Sequence, residues 1–184
     1  MKTLFIDKEI KYIGSQLAPH WIYKNFNIQG DAIVAFVGEC DVKLSEMVDI
    51  EDVINNEPIY SKCMLSFITE QFNIELVEGV FRQRLLINCI KETLEDRGFK
   101  IKRDGDDLFI NEKKLSVSIA TKSLTSVLIH TGVNILSEGA PIEVSALESD
   151  LGIKDIKNFA IDVMKRYSDE ISDIILASTK VRGV

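Results

Sequence analysis

The sequence contains little cysteine, proline or glycine, and these shortages exclude several classes of protein. Its 184 residues include three cysteines, three prolines and ten glycines. Such a composition excludes collagen-like and low-complexity chains. The cysteines, Cys40, Cys63 and Cys89, are odd in number and match no zinc-binding spacing. We therefore predict reduced thiols and a cytoplasmic location.

Long apolar runs and an excess of positive charge are also missing. The N-terminal stretch MKTLFIDKEIKYIG carries charges every few residues, which is not typical of a signal peptide. No apolar run is long enough to cross a bilayer, so we expect no membrane partner. The net charge of −7 disfavours nonspecific nucleic-acid binding, although a local basic patch for tRNA stays open. The oligomeric state is left open by the sequence.

The periodic segments predict an α+β fold with a mostly antiparallel, mixed sheet and helices packed on one face. Apolar residues make up 46% of the chain, and we expect a single domain over residues 1–184. The run AIVAFVGECDV predicts a central strand. Residues 107–136 predict three strands that are joined by short turns.

Four helices are predicted from capping residues and apolar spacing. Ser61 is the predicted N-cap of a helix in which Met64, Phe67, Ile68 and Phe72 recur at helical spacing. Ser145 and Glu148 form a predicted capping box. The predicted helices are residues 61–72, 80–97, a short helix from 145, and 154–177.

The strand KLSVSIA is the first candidate site. Because side chains alternate along a strand, Lys114, Ser116 and Ser118 are predicted to share one face, opposite Leu115 and Val117. One interpretation is a solvated sheet face. The other is a ligand pocket in which the lysine ammonium meets a phosphate or carboxylate.

Two histidines are further candidates. His20 lies beside Trp21 and could act as a general acid–base or stack on a ring, or it could be a histidine hydrogen-bonded at the edge of the core. His130 is predicted to share a strand face with Gly132 and Asn134, so the alternatives are close ligand approach and burial within the sheet.

The acidic run MVDIEDV offers Asp49, Glu51 and Asp52. Three neighbouring carboxylates are suited to Mg²⁺, which prefers oxygen ligands. Carboxylates also stabilise the beginning of a helix. The acidic run can therefore be interpreted either as a metal site or as the start of a helix.

The stretch GDDLFINEKKLSVSIA resembles the core motif of the biotin and lipoate protein ligases. Downstream, VLIHTGVNI resembles the GxGxN strand of biotin ligases and the HG strand of lipoate ligases, and the resemblance covers roughly residues 80–136. Over its full length the chain resembles the family called domain of unknown function 366, in HWIYKNFNIQGD, MVDIED and the terminal KVR. The resemblance implies the α+β fold that these ligases share with class II aminoacyl-tRNA synthetases.

The resemblance also implies roles for individual residues. Lys114 matches the ligase lysine that contacts the acyl carbonyl and the adenylate phosphate, and Asp107 matches the aspartate of an Asn-Asp pair. Asp106 replaces the asparagine of that pair, and Val117 replaces a small glycine. Two residues match the glycine and asparagine of the downstream strand: Gly132 and Asn134.

The resemblance implies binding of a nucleotide or of an acyl or carboxylate compound, acyl adenylation or transfer, and ATP with Mg²⁺ as cofactors. The chain lacks the Arg- and Gly-rich loop that closes over the adenylate in those ligases, and its nearest basic element is FRQR, with Arg82 and Arg84. The alternative is therefore a non-catalytic module that binds protein or RNA on the same fold. The predicted catalytic residues are Lys114 and His20. The predicted ligand-binding residues are Arg82, Arg84, Asp106, Asp107, Ser116, Ser118, His130, Gly132 and Asn134.

Overall fold

The computed structural model describes residues 1–138 and 142–183. Its strands are β1 (Lys2–Phe5), β2 (Ala32–Val42), β3 (Ile59–Phe72), β4 (Lys102–Asp104), β5 (Asp107–Ile110), β6 (Lys113–Lys114), β7 (Ser116–Lys122) and β8 (Ser126–Asn134). Its helices are α1 (Trp21–Phe26), α2 (Ile50–Asn55), α3 (Leu76–Glu95) and α4 (Ile156–Thr179), with a short 3-10 helix at Leu44–Glu46.

The larger sheet has five strands in the order β1-β2-β3-β8-β7. β1 runs parallel to β2, and the other neighbours are antiparallel. A second sheet has three strands in the order β4-β5-β6. This arrangement confirms the predicted α+β class with a mostly antiparallel, mixed sheet.

Two apolar layers cover the two faces of the five-stranded sheet. One face packs against α3 and α4, with Leu86, Ile90 and Phe159 fully buried in this layer. The other face packs against α1 and the N-terminal segment, through a cluster that includes Ile22 and Phe36. The central strands are buried on both faces, and their buried residues include polar ones, such as Ser66, Glu70 and His130, among the apolar side chains.

The helix predicted for residues 61–72 is wrong, because these residues form most of the strand β3. β3 pairs with β2 on one side and β8 on the other, and residues 64–71 are all buried. In a strand that is buried on both faces, apolar residues occur at consecutive positions and not only at alternate ones. Some of them then match the helical spacing of three and four residues by coincidence. Ser61 does not cap a helix, and its Oγ donates to the Cys63 carbonyl at 3.3 Å.

The short helix predicted from Ser145 is also wrong, because residues 147–151 form turns. The Ser145 hydroxyl donates to the Ile110 carbonyl at 3.0 Å, and its amide donates to the Lys114 carbonyl at 2.9 Å. These bonds attach this segment to the second sheet beside Lys114. A side chain used in this way is not available to cap a helix.

The two long helices are confirmed, with shifted bounds. α3 begins four residues earlier than predicted, and Phe81 is 71% exposed instead of lying in the core stripe. α4 covers residues 156–179 and packs against α3. Across residues 1–138 and 142–183, no helix has the length and apolar character needed to cross a membrane.

Candidate functional site

A cleft of about 310 Å³ opens on the sheet face opposite α3 and α4. Its floor comes from three strands, with Met64 on β3, Val117 and Ile119 on β7, and His130 on β8. Its walls come from the N-terminal segment, from residues 46–60 around α2, and from the second sheet. The cleft is therefore formed by segments that lie far apart along the chain.

The predicted alternation across β7 is broken at Leu115. Leu115 is buried in the layer beneath α3, whereas Val117 packs against the cluster on the opposite face. The physical reason is that the chain leaves the second sheet after Lys114 and joins the five-stranded sheet at Ser116. The prediction that Leu115 and Val117 share a face is therefore wrong.

Ser116 and Ser118 line the cleft, but their hydroxyls have partners in the protein. The Ser116 Oγ accepts from the Leu108 amide at 3.0 Å. The Ser118 Oγ accepts from the Gln83 amide group at 3.1 Å and lies 2.8 Å from the Thr131 hydroxyl. These bonds fix β7 against β5 and α3, which gives the two serines a structural part in the cleft.

Lys114 lies at the cleft wall, with its ammonium 3.0 Å from the Asp107 carboxylate. Its side chain is 35% exposed, so the ammonium remains accessible to a ligand. The pairing of β5 with β6 places Lys114 opposite Phe109, so Asp107, two residues before Phe109 on the same side of the strand, lies diagonally from the lysine. Burial raises the pKa of Asp107, and the hydrogen bond from Lys114 opposes that rise.

Asp106 lies beside this pair and is held from α3. Its carboxylate is 3.2 Å from the Arg84 guanidinium and accepts from the Gln83 amide group at 2.8 Å. Gly105 precedes it at a positive φ of 61°, and a side chain there would meet the Arg84 guanidinium. Arg84 thus acts at the edge of the cleft through Asp106.

His130 is buried on the cleft floor, with 3% of its surface exposed. Its ring stacks on Tyr12 with centroids 3.7 Å apart, and its Nε2 lies 3.2 Å from the Ser66 hydroxyl. Burial lowers the pKa of His130 to about 3. At neutral pH the imidazole is therefore uncharged and adds no cation to the cleft.

Gly132 and Asn134 lie on the same strand as His130. A side chain at Gly132 would begin 2.2 Å from the Met64 sulfur, so Met64 fills the space above the glycine. Asn134 lines the cleft and is 7% exposed, and its Nδ2 donates to the Ser145 carbonyl at 3.3 Å. The glycine therefore admits a methionine, and the asparagine is, with His130, a polar residue of β8 that lines the cleft.

His20 and Arg82 are not brought to the cleft. His20 lies in a separate groove, where its Nδ1 is 4.0 Å from the Glu70 carboxylate and its ring stacks on Phe72. Arg82 lies on α3 and pairs with Glu78 at 2.6 Å. The expectation that these two residues surround Lys114 is wrong, because they lie at other positions of the fold.

The acidic run forms the start of α2. Asp49 caps the helix by accepting from the amides of Glu51, at 2.9 Å, and Asp52, at 3.4 Å. Asp49 and Asp52 line the cleft, while Glu51 is exposed outside it. In the described part of the chain, no three His, Cys, Asp or Glu side chains are placed to hold a metal ion, so these residues do not form the predicted magnesium site.

Several residues of the cleft were missed by the sequence analysis. Tyr12 stacks on His130, Met64 covers Gly132, and Glu46 and Glu57 line the wall around α2. The density of acids between residues 46 and 57 is a signal that could have identified the two glutamates. Nothing in the local pattern connects Tyr12 or Met64 to a ligand site.

Comparisons with known proteins agree with this fold. The model of a family described as "Domain of unknown function (DUF366)" matches residues 1–182. An uncharacterised protein of Methanocaldococcus jannaschii is 39% identical over 180 residues, which cover 95% of this chain and 81% of that protein. The structure of a protein of unknown function from Pyrococcus horikoshi has a TM-score of 0.93 and 40% identity, and the match covers 100% of this chain and 98% of that one.

More distant structures share the fold at low identity. A biotin protein ligase mutant from Aquifex aeolicus, in complex with biotin, has a TM-score of 0.62 and 16% identity over 94% of this chain and 70% of that one. A putative lipoate protein ligase from T. acidophilum, with bound lipoic acid, has a TM-score of 0.63 and 14% identity over 91% of this chain and 86% of that one. The fold therefore resembles that of biotin and lipoate protein ligases.

Proposed function

The chain belongs to the DUF366 family, and we propose that its cleft binds a small acyl or carboxylate compound whose oxygen contacts Lys114. The observation that carries this proposal is a partly exposed ammonium, 3.0 Å from the Asp107 carboxylate, at the wall of a cleft with a largely apolar floor. A cleft of about 310 Å³ lies at the lower end of the volumes that are typical of small-molecule sites.

The floor of the cleft suits an apolar chain. Met64, Val117 and Ile119 line it, and Val42 and Ile59 extend it towards the wall. Moving an alkyl chain from water onto this surface contributes about 0.8 kcal/mol per buried methylene group. The ligand is therefore expected to carry an apolar body beyond its polar head.

Lys114 supplies the polar contact. Its ammonium is a compact charge, and its bond to Asp107 orients it before a ligand arrives. In acyl transfer, the acceptor's nucleophile attacks the carbonyl carbon, negative charge develops on the carbonyl oxygen, and the leaving group then departs. An ammonium beside that oxygen stabilises the transition state.

ATP fits the cleft poorly. Six carboxylates and one lysine line it in the described part of the chain, so a triphosphate would meet mostly like charge. Acyl transfer is therefore favoured over acyl adenylation, and ATP takes no part in the proposed reaction.

Thermal unfolding with added ligands tests the proposal. The panel contains octanoate, lipoate, biotin, ATP and an aminoacyl-adenylate analogue, with the wild type and Lys114→Met. Lys113→Met is the matched control, because Lys113 pairs with Glu143 at the surface, 3.4 Å away, outside the cleft lining. We expect an acyl compound, at about tenfold above its Kd, to raise the melting temperature of the wild type and the control by about 3 °C.

Lys114→Met is expected to lose most of that stabilisation. The proposal is contradicted if none of the acyl or carboxylate compounds in the panel raises the melting temperature of the wild type. It is equally contradicted if Lys114→Met responds as the wild type does.

A second candidate is a non-catalytic protein-binding module, which an exposed apolar patch favours. Val77 and Phe81 at the start of α3 are 69% and 71% exposed, and Leu124 in the β7–β8 turn is fully exposed. An ion pair between Lys122 and Glu75 holds that turn beside α3. A partner that co-purifies with the wild type after nuclease treatment, but not with Phe81→Ser, would support this candidate.

A further inference from the structure

We infer that Met64 sets the depth of the cleft, so that the substrate class is short and medium acyl chains and longer chains are excluded. The inference rests on the proposed function, because it concerns the apolar body of the ligand whose oxygen contacts Lys114. In this arrangement Lys114 positions the polar head, and Met64 determines how much chain can follow it.

The floor of the cleft around Gly132 is the first observation. Gly132 lies on β8, opposite Val117 on β7. Val117 lines the cleft, as do His130 and Asn134, which flank the glycine on the same face of β8. Gly132 itself does not line the cleft, because Met64 lies over it. The floor would therefore be deeper at this glycine if the methionine side chain were shorter.

The outer part of the Met64 side chain makes this contact. A Cβ atom placed on Gly132 would lie 3.2 Å from the Met64 Cγ and 3.1 Å from its Cε, with the sulfur nearer still. Met64 is 2% exposed, and it lines the cleft. The methionine therefore fills the volume that the glycine leaves free, at the point where the ligand would otherwise lie.

A second observation, on the opposite side of β3, explains why the methionine lies over Gly132. Met64 pairs with Gly38 on β2. The backbone of Ile10 covers Gly38, where an added Cβ would collide with the Ile10 carbonyl. Because the N-terminal segment closes the space over β2, the Met64 side chain extends towards β8. Close packing on both sides holds it there, so a ligand would have to disrupt this packing to displace it.

The volume of the cleft indicates the length of the chain. At about 30 Å³ for each water-sized group, the cleft of about 310 Å³ holds roughly ten such groups. Octanoate has about this number of carbon and oxygen atoms. Replacing Met64 with alanine removes Cγ, Sδ and Cε, and a truncation of this kind leaves a cavity that collapses only in part. We expect this space to admit about two further methylene groups.

A chain-length series tests the inference by calorimetry. Hexanoate, octanoate, decanoate and dodecanoate are titrated, below their micelle limits, into the wild type, Met64→Ala and Met164→Ala. Met164 is the matched control, because it is also 2% exposed but lies in the layer with α3 and α4, on the opposite face of the sheet. Met64→Val repeats the test with a residue suited to strands, should the alanine variant fail to fold. Lys114→Met, which tests the proposed function, is titrated alongside.

In the wild type and in Met164→Ala, we expect the affinity to rise up to octanoate and to rise no further with decanoate. In Met64→Ala, decanoate should bind about 15-fold more tightly than octanoate, because each of its two additional methylene groups contributes about fourfold. Met64→Val should show a smaller gain in the same direction.

The inference is overturned if the carboxylates bind with dependence on Lys114 but the ratio of the octanoate and decanoate affinities is the same in the wild type, Met64→Ala and Met64→Val. That result leaves the proposed function standing. An equal gain for decanoate in Met164→Ala also overturns the inference, as does a wild type that already prefers decanoate. If no carboxylate of the series binds the wild type, the inference and the proposed function are both overturned.

Discussion

At the residue scale, the proposed chemistry of the cleft depends on the ion pair of Lys114 and Asp107. Asp107 is half-buried, and the loss of hydration raises its pKa, while Lys114 stabilises its charged form. The lysine in turn gains a fixed position 3.0 Å from the carboxylate. The two charges are therefore coupled, and the pKa of each residue should change when the other residue is replaced.

We predict that Lys114→Met raises the pKa of Asp107 above its wild-type value. The folded state already holds this proton more tightly than the unfolded state, because the folded pKa is raised. The contribution of Asp107 to stability is therefore present below its unfolded pKa and is lost as the pH rises through the folded pKa. In Lys114→Met this contribution to stability should be lost over a wider pH range, because the folded pKa of Asp107 lies further above the unfolded one.

An NMR titration of the Asp107 carboxyl carbon measures this directly, with Lys113→Met as the control. A midpoint that is the same in Lys114→Met and in the wild type would mean that the two charges do not interact. Urea unfolding between pH 4 and 7 supplies the matching free energies of unfolding.

The sequence predicted part of this site. Lys114, Asp107, His130 and Asn134 were identified and line one cleft. His20 was also identified but lies in another groove, because local composition does not specify which end of a sheet a segment will cover. The partners that surround the site, such as Tyr12 on His130, come from contacts between distant segments that no local pattern records.

At the element scale, β3 and α2 show where local signals fail and where they hold. β3 was predicted as a helix because burial on both faces makes its apolar spacing ambiguous. In the acidic run, the carboxylate of Asp49 accepts two amides at the start of α2, which agrees with the helix-start alternative. α2 contains no buried residue, so its N-cap is expected to contribute more than side-chain packing to the stability of this helix.

We predict that Asp49→Ala weakens α2 locally by about 1 kcal/mol, the usual effect of removing an N-cap. Hydrogen exchange of the Glu51 and Asp52 amides should accelerate about fivefold, since 1 kcal/mol is roughly that factor in an equilibrium. Global unfolding should change little, because no residue of α2 is buried.

Glu51→Ala is the control for this experiment, because it removes a charge from the same turn and keeps the cap. The proposed role of the Asp49 cap is contradicted if amide hydrogen exchange in α2 accelerates equally in both variants. It also fails if Asp49→Ala lowers global stability as much as local stability.

At the scale of the whole molecule, the fold resembles that of known ligases, but the charges that line the cleft would favour a different kind of ligand. The fold resembles that of biotin and lipoate protein ligases, with TM-scores of 0.62 and 0.63. The cleft, however, is lined by six carboxylates and by one lysine among the described residues. The same backbone arrangement can therefore hold a different ligand, because the side chains of the cleft determine which charges are accepted.

The central claim is that a small acyl compound binds in this cleft through Lys114. The most direct test is an amide NMR titration of the labelled protein with octanoate and lipoate. We predict that the largest shift changes occur at residues 114–119, 130–134 and 46–57, and that Lys114→Met abolishes them. Changes confined to the groove beside His20, or to the surface between α3 and α4, would contradict the claim.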